Sequence, residues 1–287
     1  MREKWIRWPI LILLILLNAG LFVFYLTERR GANTASVQEI NRVVDLYGQE
    51  DITFKKQPAG TVSPRTILTL GSADLDQMVI DYLQGADYDL TYIYGAKVQY
   101  NSDSLVIIAD WDDHSITYRD NLADDNPEGI IWGRVLSEDE QLRLETAART
   151  FAQKWLGDSV VVTSWIRSGE ILTVTLCQVR EDQIYYFNNA EVTVNRKGIS
   201  EARIEYWNVV GENAGVDPIP MDEMLYAALN MIKSDENMIR RNTGDQVISL
   251  TDGFEILSYE GEEITALPCL TLVMESGRQF HLSYVRE

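Results

Sequence analysis

The chain has 287 residues, 46% of them hydrophobic and 24% charged, with 25 Lys and Arg against 44 Asp and Glu for a formal net charge of −19. That composition excludes collagen-like, disulfide-framework and wholly disordered chains. The acid excess excludes nucleic acid as a partner, because counterion displacement from phosphate needs a clustered basic surface.

Charge is unevenly spread. Arg2, Lys4, Arg7, Arg29 and Arg30 fall in the first 30 residues with only Glu3 and Glu28, which leaves 20 basic and 42 acidic residues, a net −22, for residues 31–287. The segment Trp8 to Thr27 is twenty residues without a charge. As a helix rising about 1.5 Å per residue it reaches about 30 Å, the thickness of a bilayer core. Trp5, Trp8 and Tyr25 suit the interfacial belts, and Pro9 falls in the first turn, where its missing N–H costs nothing. A cleaved signal peptide would have a shorter apolar core followed by a small-x-small site. Leu17-Asn18-Ala19 and Asn33-Thr34-Ala35 put the wrong residue at the −3 position, so the reading is an uncleaved single-pass anchor in the cell membrane.

Arg2, Lys4 and Arg7 on one side balance Arg29, Arg30 and Arg42 on the other, so the Lys/Arg count does not orient the span. A seven-residue tail ahead of a large acidic body favours a C-terminal domain outside the cytoplasm. Asn18 sits at mid-span, on one helix face with Leu11, Leu14, Leu21 and Tyr25. An amide there either bonds a partner helix or is carried into the membrane by the surrounding Leu and Ile. With no small-xxx-small pair beside it, a close helix dimer of the glycophorin type is not expected.

A Gly-Ala-Asn-Thr-Ala-Ser linker occupies residues 31–36, followed by a first α+β lobe over 37–135 and a second over 136–287. Val37, Ile40, Val43, Val44 and Tyr47 recur at helical spacing, as do Leu75, Met78, Val79, Tyr82 and Leu83, with Ser72 as the expected cap. Strands are predicted at Leu90–Tyr94 and Leu105–Ala109. Ser137-Glu138-Asp139-Glu140 is a capping box opening a helix whose apolar stripe is Leu142, Leu144, Ala147, Ala148, Phe151 and Trp155, stopped by Gly157. A meander follows through Val160–Trp165, Ile171–Val179, Ile184–Phe187, Glu191–Asn195 and Ile199–Trp207, with turns at Ser168-Gly169, Glu181-Asp182 and Lys197-Gly198. Leu172, Val174 and Leu176 alternate with Thr173, Thr175 and Cys177, as in a half-buried antiparallel sheet. A helix from Met221 to about Lys233 and strands at Gln246–Leu250, Phe254–Tyr259, Leu270–Met274 and Gln279–Tyr284 complete an α+β body of helix-plus-antiparallel-meander modules.

No HExxH, GxSxG, SxxK, P-loop or GxGxxG motif occurs, and neither catalytic residues nor a cofactor are expected. His281, between Phe280 and Leu282 on a terminal strand, reads as a structural histidine rather than a partnered base. The densest acidic stretch is Asp110, Asp112 and Asp113, extended by Asp120, Asp124, Asp125 and Glu128. These could offer oxygens to Ca²⁺, but their spacing matches no ordered loop, and the stretch reads as a solvated acidic loop. Cys177 and Cys269 both fall on predicted strands, each on the less apolar parity, and are either joined or, as the commoner outcome, two buried free thiols. Trp111, Trp132, Trp165 and Trp207 would line a ligand groove only if two shared it; singly, each reads as core.

Three stretches together resemble the YycI family of membrane-anchored regulators from low-GC Gram-positive bacteria: the anchor with Leu17-Asn18 and Tyr25; the hairpin sequence Ile184–Arg203; and a C-terminus with Leu225-Tyr226, Val247–Tyr259 and Leu267-Pro268. Where the family pattern has Pro-Ala-Trp, this chain has Pro268-Cys269-Leu270. The resemblance implies a non-enzymatic accessory protein that acts with a YycH-like relative on a sensor histidine kinase of the WalK (YycG) type controlling cell-wall turnover, the three meeting through their membrane helices. The −22 body is repelled by an anionic wall, which favours protein contact over wall polymer. The alternative is a membrane-anchored cell-envelope enzyme or ligand-binding module acting on peptide or glycan.

Overall fold

The computed structural model describes residues 37–58, 65–93, 95–124, 136–216, 219–234, 244–256 and 264–284. The anchor, with Leu11, Leu14, Asn18, Leu21 and Tyr25, lies outside them. Among the described residues no helix is long and apolar enough to cross a membrane. The body is α+β, built on one largely antiparallel, branched sheet.

One arm of that sheet is a continuous antiparallel series. Strands β3 (Asp89–Ile93), β4 (Lys97–Ser102), β5 (Leu105–Asp110) and β6 (Ser115–Asp120) form a meander. β6 then pairs with β10 (Gly198–Glu205), which continues through β9 (Gln183–Asn195) and β8 (Ile171–Arg180) to β7 (Val160–Ser168). Alternation sends Tyr100, Ile107, Ile116, Leu172, Val174, Leu176, Val192 and Ile204 to one face, all buried. Helices α2 (Leu75–Leu83) and α4 (Glu138–Leu156) cover that face, and the Tyr82 ring stacks on Trp155 at 4.4 Å.

The other arm centres on β12 (Asp245–Ile256) and β13 (Ile264–Met274), which run antiparallel. The far edge of β13 is shared by β14 (Gln279–Ser283) and by β2 (Arg65–Ser72), and β11 (Trp207–Val216) extends β2. β1 (Ile52–Phe54) pairs in parallel with the start of β12. Helices α1 (Val37–Gln49) and α5 (Met221–Ser234) cover the apolar face made by Leu270, Leu272, Met274, Phe280 and Leu282, and the Tyr47 hydroxyl donates to the Leu225 carbonyl at 2.7 Å.

The arms meet where β12 pairs in parallel with β9, through Gly253 with Ile184 and Phe254 with Tyr185. A Cβ at Gly253 would lie 2.5 Å from the Ile184 carbonyl oxygen and 2.6 Å from the Tyr186 ring. Glycine is required there for the backbones to approach.

The helices lie close to the predicted positions, and the capping box is complete: Ser137 accepts from the Glu140 N–H while Glu140 reaches back to the Ser137 N–H. Several expectations need correction. Asp74, not Ser72, caps α2, because it stands immediately before the first helical residue. A further strand, β4, lies between the turns at Gly95 and at Asp103, and the acidic stretch contains β6, whose Ile116 and Tyr118 alternate inward from flanking polar residues. The stretches 184–187 and 191–195 form one strand, because a bulge against Cys177 and Gln178 absorbs the interruption, and 246–250 and 254–256 form another, because Thr251, Asp252 and Gly253 keep regular pairing with β13. Leu142 is 62% exposed and Ala147 is also exposed; of the predicted stripe Leu144 is partly buried against the core, and the fully buried face of α4 starts at Ala148 and runs through Phe151, Ala152, Trp155 and Leu156. Beyond α3 (Asn121–Asp124), a single helical turn, Asp125 and Glu128 lie outside the described residues, as does Trp132.

Candidate functional site

The face of β12–β14 turned away from α1 and α5 is polar, by the same alternation that makes its opposite face apolar. Thr251, Thr271 and His281 stand directly across three strands, and Gly253, Cys269 and Ser283 form the next row. Glu255, two residues beyond Gly253, shares this face. Across from it stand the outward residues of the other arm: Thr163 and Ser164 of β7, Thr175 and Cys177 of β8, and Tyr186 and Asn189 of β9. The two polar faces enclose a cleft of about 440 Å³, into which Glu255, Gln279 and His281 project. The Gln279 side-chain amide donates to the Thr163 carbonyl and bridges the walls.

His281 is held from three sides. Its Nδ1 lies 3.2 Å from the Thr271 hydroxyl and 3.6 Å from a Glu255 oxygen, and the Tyr186 ring meets the imidazole nearly perpendicularly at 4.6 Å. The Tyr186 hydroxyl in turn lies 3.4 Å from that of Thr251. Cys269 is buried, and Glu255, Cys269 and His281 each present one ligand-type atom within 4.8 Å of the other two.

Both cysteines are free and buried, as the commoner of the two sequence readings has it. Burial pushes the Cys177 thiol up to about 12, against a smaller opposing effect of its contact with the Thr163 hydroxyl. Burial raises the Cys269 thiol further, helped by the Glu255 carboxylate, with Thr271 opposing. A nucleophilic cysteine needs the thiolate, favoured by nearby positive charge. These surroundings hold both residues as neutral thiols at pH 7.

The acidic residues singled out from sequence are spread over other tasks. Asp110 is only 7% exposed. Burial works against its charge, but the Lys97 ammonium at 2.5 Å and the Asp113 and Asp112 backbone N–H groups hold its carboxyl below the usual carboxylate range. Asp113 lies 3.8 Å from Arg203. Asp112 is exposed, and Asp120 accepts from the Ser104 hydroxyl and the Leu122 N–H. Burial lowers the pKa of His114 despite Asp112 and Asp113, and its ring packs on Trp207 at 3.7 Å. Trp111 packs against the core, Trp207 is buried and Trp165 is half exposed.

Sequence reasoning placed Cys269 and His281 on their strands but missed Glu255, Tyr186 and Gln279 as their companions. The parity of Cys269 was the available signal, since it points away from Leu270 and Leu272.

Comparison with protein-family models finds no match. Comparison with curated proteins finds none either. Among solved structures, the fold is similar to an uncharacterized protein from Eubacterium rectale ATCC 33656, at 10% identity and a TM-score of 0.42, covering 79% of this chain and 80% of that one. It is also similar to the Bacillus megaterium YpeB C-terminal domain, at 11% identity and a TM-score of 0.38, covering 75% of this chain and 93% of that one.

Proposed function

We propose that this chain is a non-enzymatic, membrane-anchored accessory regulator of a sensor histidine kinase of the WalK (YycG) type, acting with a YycH-like partner in cell-wall homeostasis. The observation that carries the reading is the uncharged Trp8–Thr27 run with Asn18 at its centre, joined to an acidic α+β body in the residue pattern resembling the YycI family. In this reading the protein crosses the membrane once, with its body outside the cytoplasm. The Asn18 amide and the face of Leu11, Leu14, Leu21 and Tyr25 contact partner helices, where an interhelical hydrogen bond contributes about 1–2 kcal/mol at most.

The test is co-purification from detergent-solubilised membranes of the full chain and of a variant whose residues 8–27 are replaced by an unrelated span. The kinase and the YycH-like partner are expected with the first and not the second, and Asn18→Leu is expected to lower their recovery several-fold. Equal recovery with the native and the replaced span would move the contact to the acidic body. Absence of the partners from the native chain would sink the regulator reading. The polar cleft between the arms favours a second reading, a cell-envelope module that holds peptide or glycan, which binding of wall fragments by the full chain would support.

A further inference from the structure

At the cleft lies a set of side chains that neither the regulator reading nor the resemblance uses: Glu255 and His281 line it, and Cys269 is buried behind them. Glu255, Cys269 and His281 come from three neighbouring strands and share one face of the sheet. They offer one carboxylate oxygen, one sulfur and one ring nitrogen, all within 4.8 Å of one another. We propose that Glu255, Cys269 and His281 form a zinc site whose fourth coordination position opens into the cleft between β7–β9 and β12–β14.

The donor set selects the ion. Thiolate and imidazole suit zinc, whereas Ca²⁺ and Mg²⁺ take oxygen ligands. With bonds of about 2.0–2.3 Å, tetrahedral ligands stand about 3.3–3.8 Å apart. The 3.6 Å between His281 and Glu255 already fits that spacing, and the remaining ligand separations, at most 4.8 Å, need to contract by up to about 1–1.5 Å to reach it. Three protein ligands with an open fourth position match sites at which zinc meets solvent or a ligand rather than closed structural sites. Support for the ligands is present as well. The Tyr186 ring packs nearly perpendicular to the imidazole at 4.6 Å and fixes its plane. Coordination replaces the S–H bond of Cys269 with a metal–sulfur bond, and the proton leaves to solvent.

The site is independent of the membrane span, so its failure leaves the regulator reading standing, and the reverse also holds. The test titrates the full-length protein in detergent micelles, freed of metal by a chelator, with Zn²⁺ and with Co²⁺. One ion per chain is expected, with thiolate-to-cobalt charge-transfer absorption that zinc displaces. Cys269→Ser abolishes that absorption, whereas Cys177→Ser, in the same cleft, leaves it unchanged. Glu255→Gln, on the half-buried wall, is a second variant that does not disturb packing, and it weakens zinc binding at least about 10-fold. A native chain that binds no ion, absorption that survives Cys269→Ser or follows Cys177→Ser, or zinc affinity untouched by Glu255→Gln would each overturn the site.

Discussion

Two polar clusters lie beside the junction of the sheet arms, one closed and one open. Asn188 is fully buried in the irregular stretch where β9 bulges against β8. Its amide donates to the Gln178 side chain at 3.0 Å and the Trp207 carbonyl at 3.1 Å, and its oxygen accepts from the Trp207 N–H at 2.7 Å. Gln178 passes the chain of bonds on to the Leu156 carbonyl at the end of α4. Each side-chain nitrogen and oxygen of Asn188 and Gln178 has a protein partner, so the cluster holds β8, β9, β11 and α4 together. On the other arm, Glu255 and His281 border a cleft of about 440 Å³ and retain a route to solvent. The difference teaches that buried polar side chains in this fold do two kinds of work, separated by whether space adjoins them: fully enclosed groups specify geometry, and groups beside a cavity are placed to meet a ligand.

The contrast breaks first at Asn188. Asn188→Leu keeps the volume but leaves the Trp207 N–H and the Gln178 side chain without their partner, at about 3 kcal/mol of stability. Denaturant unfolding of the full chain in micelles measures it, and an unchanged midpoint would mean that the network is replaceable. Next in size is Gly253→Ala, which forces its new Cβ against the Ile184 carbonyl and the Tyr186 ring. About 2 kcal/mol is expected, with loss of near-ultraviolet dichroism from Tyr186 as the ring is displaced. The smallest effect belongs to the open cluster. His281→Gln, without metal, is expected to change stability by less than about 1 kcal/mol, because one side of the imidazole already faces the cleft. A loss as large as that of Asn188→Leu would place His281 with the closed cluster instead.

The helices were legible because each carries its own periodicity and punctuation. Ser137 and Glu140 announce the start of α4, and Gly157 its end, without reference to any other part of the chain. The start of that same helix also shows the limit. Leu142 fits the stripe by spacing but is 62% exposed, since spacing assigns a residue to a face and not to a neighbour. β6 was hidden because the carboxylates around it resemble a solvated loop, and it is pairing with β5 and β10 that makes a strand of Ser115–Asp120.

The cleft was legible only in its parts. Thr173, Thr175 and Cys177 were readable as the less apolar face of one strand, and Cys269 as the less apolar parity of another. Local chemistry cannot say that these faces turn toward one another, because that depends on β12 crossing to β9 at Gly253, a parallel contact between residues about 70 positions apart. What the sequence determined by itself is therefore local: an uncharged run long enough to span a bilayer, an acidic remainder, the helices with their caps, and which residues of each strand share a face. The tertiary structure decided which faces meet. Register across β12, β13 and β14 aligned a carboxylate, a thiol and an imidazole from different strands, and Gly253 admitted the close backbone approach that set them beside a cavity.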